Sequence, residues 1–107
     1  MGYYTHYHLE ISAPEDVYET IKEEVSKYII EMVGIDLDEF EDLIETTVEW
    51  KWYNHESNMK QIAKMFPIVY FTLEGQGEDR EDIWIKQFHD NEYYESYGKI
   101  IEPERKW

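Results

Sequence analysis

Residues Tyr3 to Ile11 alternate in character. Tyr3, Thr5, Tyr7, Leu9 and Ile11 fall on one side of an extended chain, and Tyr4, His6, His8 and Glu10 on the other. A period of two predicts a β-strand with one face in the core. The period then changes. Ser12-Ala13-Pro14-Glu15 has the marks of a helix start, with Ser12 as N-cap, Glu15 three residues on and Pro14 where no N–H is needed. Val17, Ile21, Val25, Tyr28, Ile29 and Met32 then form an apolar stripe that ends at Gly34. Asp36 to Glu39 repeats the capping spacing, and Leu37, Phe40, Leu43 and Ile44 predict a second, shorter helix.

Thr47 to Tyr53 returns to period two, with Val48, Trp50 and Trp52 inward and Glu49 and Lys51 outward. Asn54 is placed to cap a helix over His55 to Met65, with Met59, Ile62, Ala63 and Phe66 inward and Pro67 as its stop. Ile68 to Glu74 reads as a core strand carrying Val69, Phe71 and Leu73, and Gly75 to Asp79 as a turn. Asp82 to His89 and Tyr93 to Ile101 predict a final hairpin joined at Asp90-Asn91. The order β-α-α-β-α-β-β-β predicts an α+β, ferredoxin-like antiparallel sheet with helices packed on one face and a C-terminal β-hairpin. Residues 1–102 form one domain in this reading, and 103–107 a loosely ordered tail. The second sheet face then carries Tyr4, His6, His8, Glu10, Glu49, Lys51, Tyr70 and Thr72.

Composition removes several function classes. The chain of 107 residues has no cysteine, which excludes disulfides, Cys-ligated zinc and thiol catalysis. With 42% hydrophobic and 17% aromatic residues, it is too apolar for a disordered acidic tail. The first residues show neither a basic region nor an apolar run of the signal-peptide kind, and no stretch is apolar enough to span a bilayer. A cytoplasmic protein is the expectation.

The formal charge of −15 repels phosphate, so direct binding of nucleic acid or an anionic membrane is not expected. The charge is uneven. Residues 1–50 hold fourteen acids against Lys22 and Lys27, whereas residues 51–107 hold eleven acids against eight bases. Between Asp36 and Glu49 stand seven carboxylates and no base. A solvated acidic surface that only keeps the protein soluble is the plain alternative to a functional one.

The run Lys51-Trp52-Tyr53-Asn54-His55-Glu56, the pair Phe66-Pro67, the stretch Phe71-Thr72-Leu73-Glu74-Gly75-Gln76-Gly77-Glu78 and then Asp82-Ile83-Trp84 carry a resemblance. They resemble a group of small phage and mobile-element proteins with such a C-terminal half. More distantly, they are similar to the YubB-type ferredoxin-like domain, where a helix ending in Phe-Pro leads into a strand and an acidic turn. The resemblance covers about residues 50–92. It implies the fold and a mobile-element setting, and it carries over no catalytic residue.

Few constellations point to chemistry. His6 and His8, two apart on a strand, project from one face and are spaced to share a metal ion, although such a pair is more often a pair of surface histidines. Ser12, Ser26, Ser57 and Ser96 lie in no nucleophile elbow. The Gly75-x-Gly77 turn lacks the third glycine and the helix of a phosphate cradle. No catalytic residue, metal or cofactor is therefore expected, and the chain reads as a non-enzyme. The expected function is that of a phage-encoded inhibitor of the anti-CRISPR or anti-restriction type. Its carboxylates would take the place of phosphates in a host nucleic-acid-binding protein or nuclease complex. The candidate partner-binding residues are Asp36, Asp38, Glu39, Glu41, Asp42 and Glu45, with Glu23, Glu24 and Glu31 beside them. Two other classes fit the same residues: a small-ligand or metal-binding module on His6 and His8, and an oligomeric accessory protein. The latter would be a homodimer joined through the open sheet face or Tyr93 to Tyr97.

Overall fold

The alternation from Thr5 onward becomes β1 (Thr5–Ser12), whose Thr5, Tyr7, Leu9 and Ile11 are buried. The computed structural model describes residues 5–52, 54–77 and 83–97. After β1 come α1 (Tyr18–Val33), α2 (Leu37–Glu45), β2 (Val48–Trp50), α3 (His55–Met65), β3 (Tyr70–Gln76), β4 (Ile83–His89) and β5 (Glu92–Tyr97). The strands form a single antiparallel sheet in the order β2-β1-β3-β4-β5. The buried stripes of all three helices share one core with Tyr7, Leu9, Ile11, Leu73 and Phe88 of the sheet. The fold is α+β, with helices on one face of an open antiparallel sheet and a C-terminal hairpin. It is consistent with a ferredoxin-like sandwich.

Local boundaries follow from competition between local signals and pairing. Ser12 does not cap α1. It stays extended opposite Tyr70, because lengthening β1 gains another rung of the β1–β3 ladder. Pro14 instead opens a turn, in which the Val17 N–H donates to the Pro14 carbonyl at 3.1 Å, and α1 starts only at Tyr18. Tyr28, placed on the inward stripe by its spacing, is exposed and rests its ring against Phe66. Gly34 ends α1 in the left-handed region (φ 78°), donating its N–H to the Ile30 carbonyl. Asp36 caps α2 as its spacing predicts, with its carboxylate accepting the Glu39 N–H at 2.8 Å. Asn54 precedes α3, but its side chain makes no capping bond. Trp52 is buried, though it lies beyond the short strand β2. Tyr53, residues 1–4, residues 78–82 and residues 98–107, including the expected tail, lie outside the described residues.

The expected turn at Gly75 is a correction. Gly75 and Gln76 continue β3, and Gly75 pairs with Trp84 of β4. A Cβ on Gly75 would overlap the Trp84 indole. Glycine is needed here for close packing of a ring on backbone, not for chain reversal. Gly75→Ala is expected to destabilise by about 1–3 kcal/mol, because a rigid indole must shift within a packed core. A denaturant titration checks this, and an unchanged midpoint would mean that Trp84 does not sit on Gly75.

Candidate functional site

The stripe Leu37, Phe40, Leu43 and Ile44 turns α2 so that Asp38, Glu41, Asp42 and Glu45 line its outer face, three and four residues apart. Asp38, Asp42 and Glu45 are exposed, and Glu41 is half-buried. Lys22 of α1 reaches Glu41 at 3.4 Å and ties the two helices together. A shallow groove of about 390 Å³ runs along this seam, lined by Glu19, Lys22, Glu23, Leu37, Phe40 and Glu41 among others. Leu37 is 55% exposed, an apolar side chain set among carboxylates. Thus Glu23 of α1 and Glu41 of α2 share one surface. Glu24, paired with Lys27 at 3.3 Å, and Glu31, exposed near the end of α1, are not in that groove. Asp36 and Glu39 are engaged at the α2 N-terminus, one carboxylate capping and the other residue's N–H being capped.

Electrostatics oppose this arrangement. Neither α1 nor α2 has a basic residue in its last turn, where carbonyl ends favour cations. Glu31, Asp42 and Glu45 stand there instead, and the α2 acids repel one another at i,i+3 and i,i+4. Folding would proceed better without them. Glu45→Lys is expected to stabilise the protein by about 0.3–1 kcal/mol. A lower denaturation midpoint for this variant would show that Glu45 has a structural partner.

The open sheet face is differently organised. His6 pairs with Glu49 at 3.2 Å across β1–β2, and the Nδ1 of His8 lies 2.7 Å from the Thr46 carbonyl. The two histidines are engaged separately, and among the described residues no three His, Asp or Glu side chains converge as metal ligands. Farther along the face the Tyr70 and His89 rings stack at 3.9 Å, and His89 bonds to the Pro67 carbonyl and to Glu92. The expected dimer aromatics divide. The Tyr93 hydroxyl turns inward to Glu56 and Glu95, whereas Tyr97 is 63% exposed. Glu92 and Glu95 on this edge strand discourage pairing with another edge.

Periodicity alone did not single out the polar cluster beneath α3. Lys86 occupies the inward position of β4 between Trp84 and Phe88 and is only 7% exposed. Its ammonium donates to Nε2 of His55 at 2.8 Å, lies 3.5 Å from Glu56 Oε1 and sits over the Trp84 ring at 4.6 Å. The His55 ring stacks on Trp84 with centroids 4.7 Å apart, and its Nδ1 faces the Trp52 carbonyl at 2.9 Å. Burial holds the His55 imidazole below its ordinary range, and Lys86 adds to the effect. The Tyr93 hydroxyl spans Glu56 Oε1 (2.7 Å) and Glu95 Oε2 (2.5 Å), and its bond keeps the Glu56 carboxyl low. Burial, then those carboxylates, push the Tyr93 phenol up. The available signal was a lysine at a core position of an alternating strand, which demands a buried acceptor.

No family model matches the chain, and neither does any curated protein or solved structure. Among the described residues, no helix is long and apolar enough to cross a membrane.

Proposed function

We propose that the protein is a non-enzymatic inhibitor that uses the α1–α2 surface to occupy the basic groove of a nucleic-acid-binding protein. The observation that carries this reading is the row Asp38, Glu41, Asp42 and Glu45 on the outer face of α2, three of them exposed, with Asp42 and Glu45 in the last turn, where helix electrostatics oppose them. Seven residues separate its ends, about 10.5 Å of helix rise, which places one charge roughly every 3.5 Å along the axis. One strand of B-DNA carries a phosphate about every 3.4 Å. The row therefore approximates the linear charge density of a nucleic-acid strand. Glu23 across the groove widens it, and Leu37 gives the aliphatic stem of a partner arginine an apolar surface.

A phage-encoded inhibitor of a host CRISPR or restriction complex is the setting this chemistry suits. Those complexes present Lys/Arg-lined channels, and carboxylates pair with arginine in the bidentate manner of phosphate. The test is competition. Purified CRISPR effectors and restriction complexes are loaded with labelled duplex DNA, and the protein is added at low and at high salt. Displacement that weakens as salt rises supports the reading. Effectors that keep their DNA at every concentration overturn it for those partners. Displacement by a mutant stripped of the α2 acids would show that another surface acts.

A further inference from the structure

The proposed surface makes no use of the half-buried cluster under α3, whose protons are arranged in a way that has consequences. The Nδ1 of His55 faces a carbonyl, so it carries the hydrogen. Its Nε2 faces the Lys86 ammonium, so it is the bare lone pair that accepts. This bond exists only while the imidazole is neutral. Three surroundings keep it so. The ring is partly buried against Trp84, Trp52 and Tyr7. Lys86 on β4 places a cation against it. The residue also opens α3, at the helix end that disfavours positive charge. The carboxylates nearby are Glu56 on α3 and Glu95 on β5. Lys60 of α3 draws on Glu56 through its second oxygen at 3.5 Å, and the Tyr93 hydroxyl joins Glu56 to Glu95. Lys60 and Lys86 thus balance Glu56 and Glu95, and one more proton leaves the cluster with an excess positive charge.

We propose that His55 and Lys86 form a proton-operated latch, in which protonation of His55 expels Lys86 and loosens the first turn of α3 from β4. With a proton on Nε2, two donors face each other across 2.8 Å and the hydrogen bond becomes a repulsion. Lys86 can then turn only toward Glu56 and Glu95, already engaged with Tyr93. The rest of α3 stays docked, because Met59, Ile62 and Ala63 are fully buried. The direction in pH follows from the sign of the shift. The folded-state imidazole lies below its unfolded value of 6.5, so the unfolded or opened state takes up the proton first. The seam is complete above that unfolded value and is lost as pH falls below it and through the lower folded-state value.

The test is amide hydrogen exchange at Asn58 and Met59 of α3, normalised to Val25 and Ile29 of α1, with His55 ring protonation followed by NMR. Between about pH 8 and about pH 5, normalised protection is expected to fall about tenfold as the ring titrates. The fall should be absent in His55→Gln, whose amide oxygen still accepts from Lys86 but does not titrate. In Lys86→Met the ring should titrate at higher pH and the fall should shrink, because burial alone still lowers the imidazole, which keeps the test decisive if His55→Gln does not fold. Protection that stays level while the ring gains its proton overturns the latch. A fall of equal size in either variant does the same, and assigns it to carboxylate protonation elsewhere.

Discussion

Phe71→Ala is expected to lower the stability of the protein by about 3–5 kcal/mol, the largest single-residue loss among the changes considered. Phe71 is fully buried in the central strand β3. It stands between Ile11 of β1 and Phe88 of β4 in the ladder, so its ring is held by strands on both sides. Truncation removes the burial energy of the aromatic ring and leaves a cavity. Three strands fixed by hydrogen bonds cannot close around that cavity as a loop would. The measurement is a denaturant titration with the slope compared to that of the parent. A loss below about 1 kcal/mol would mean that the ring does not fill the centre of the core.

Combined reversal of Asp38, Glu41 and Asp42 to lysine has the largest expected effect on binding. If these carboxylates meet arginines in a desolvated groove, the change should weaken the complex by about 2–5 kcal/mol. Fold stability should move little, because the charge effects within α2 nearly cancel. Asp38 near the N-terminus is favoured by the helix dipole and its loss costs a little, whereas a lysine at 42 in the last turn gains a similar amount. Loss of the Lys22–Glu41 pair, with Glu41 about 40% exposed, adds at most about 1 kcal/mol. Affinity measured at two salt concentrations, beside a melt of the free variant, separates the outcomes. Unchanged binding with a large loss of stability would make these acids structural and end the mimicry proposal.

The element order, the α+β class, the hairpin at Asp90-Asn91 and most of the core were legible along the chain. Each depends on local period, and local period survives folding when one face of an element is buried. The bounds of α3 and the Asp36 cap were likewise readable, because a stop at Pro67 and a carboxylate reaching three residues forward need no distant partner. Asp90, in the left-handed region at φ 51°, fits a turn residue that tolerates it. Ser12 and Gly75 were misplaced for one shared reason. Each has strong local turn or cap chemistry, and each is claimed by a neighbouring strand, Ser12 by Tyr70 and Gly75 by Trp84. A cross-strand partner has no fixed spacing in sequence, so its pull is invisible until the sheet is assembled.

The same division runs through the charged surfaces. By itself the sequence determined that the first half of the chain carries an unbalanced negative charge and that α2 turns its acids outward, since both follow from residue type and helical period. Only the tertiary structure decided which acids lie together. Lys22 brings Glu41 against α1 and places Glu23 in the same groove, while Glu24 is paired with Lys27 on its own helix. It also decided that His6 and His8 are engaged separately, and that His55, 31 residues away in sequence, meets Lys86 in the core. Charge density is a sum over local composition and can be read from the chain. A hydrogen bond between a buried lysine and a half-buried histidine depends on which strand lies under which helix, and that is set by long-range packing.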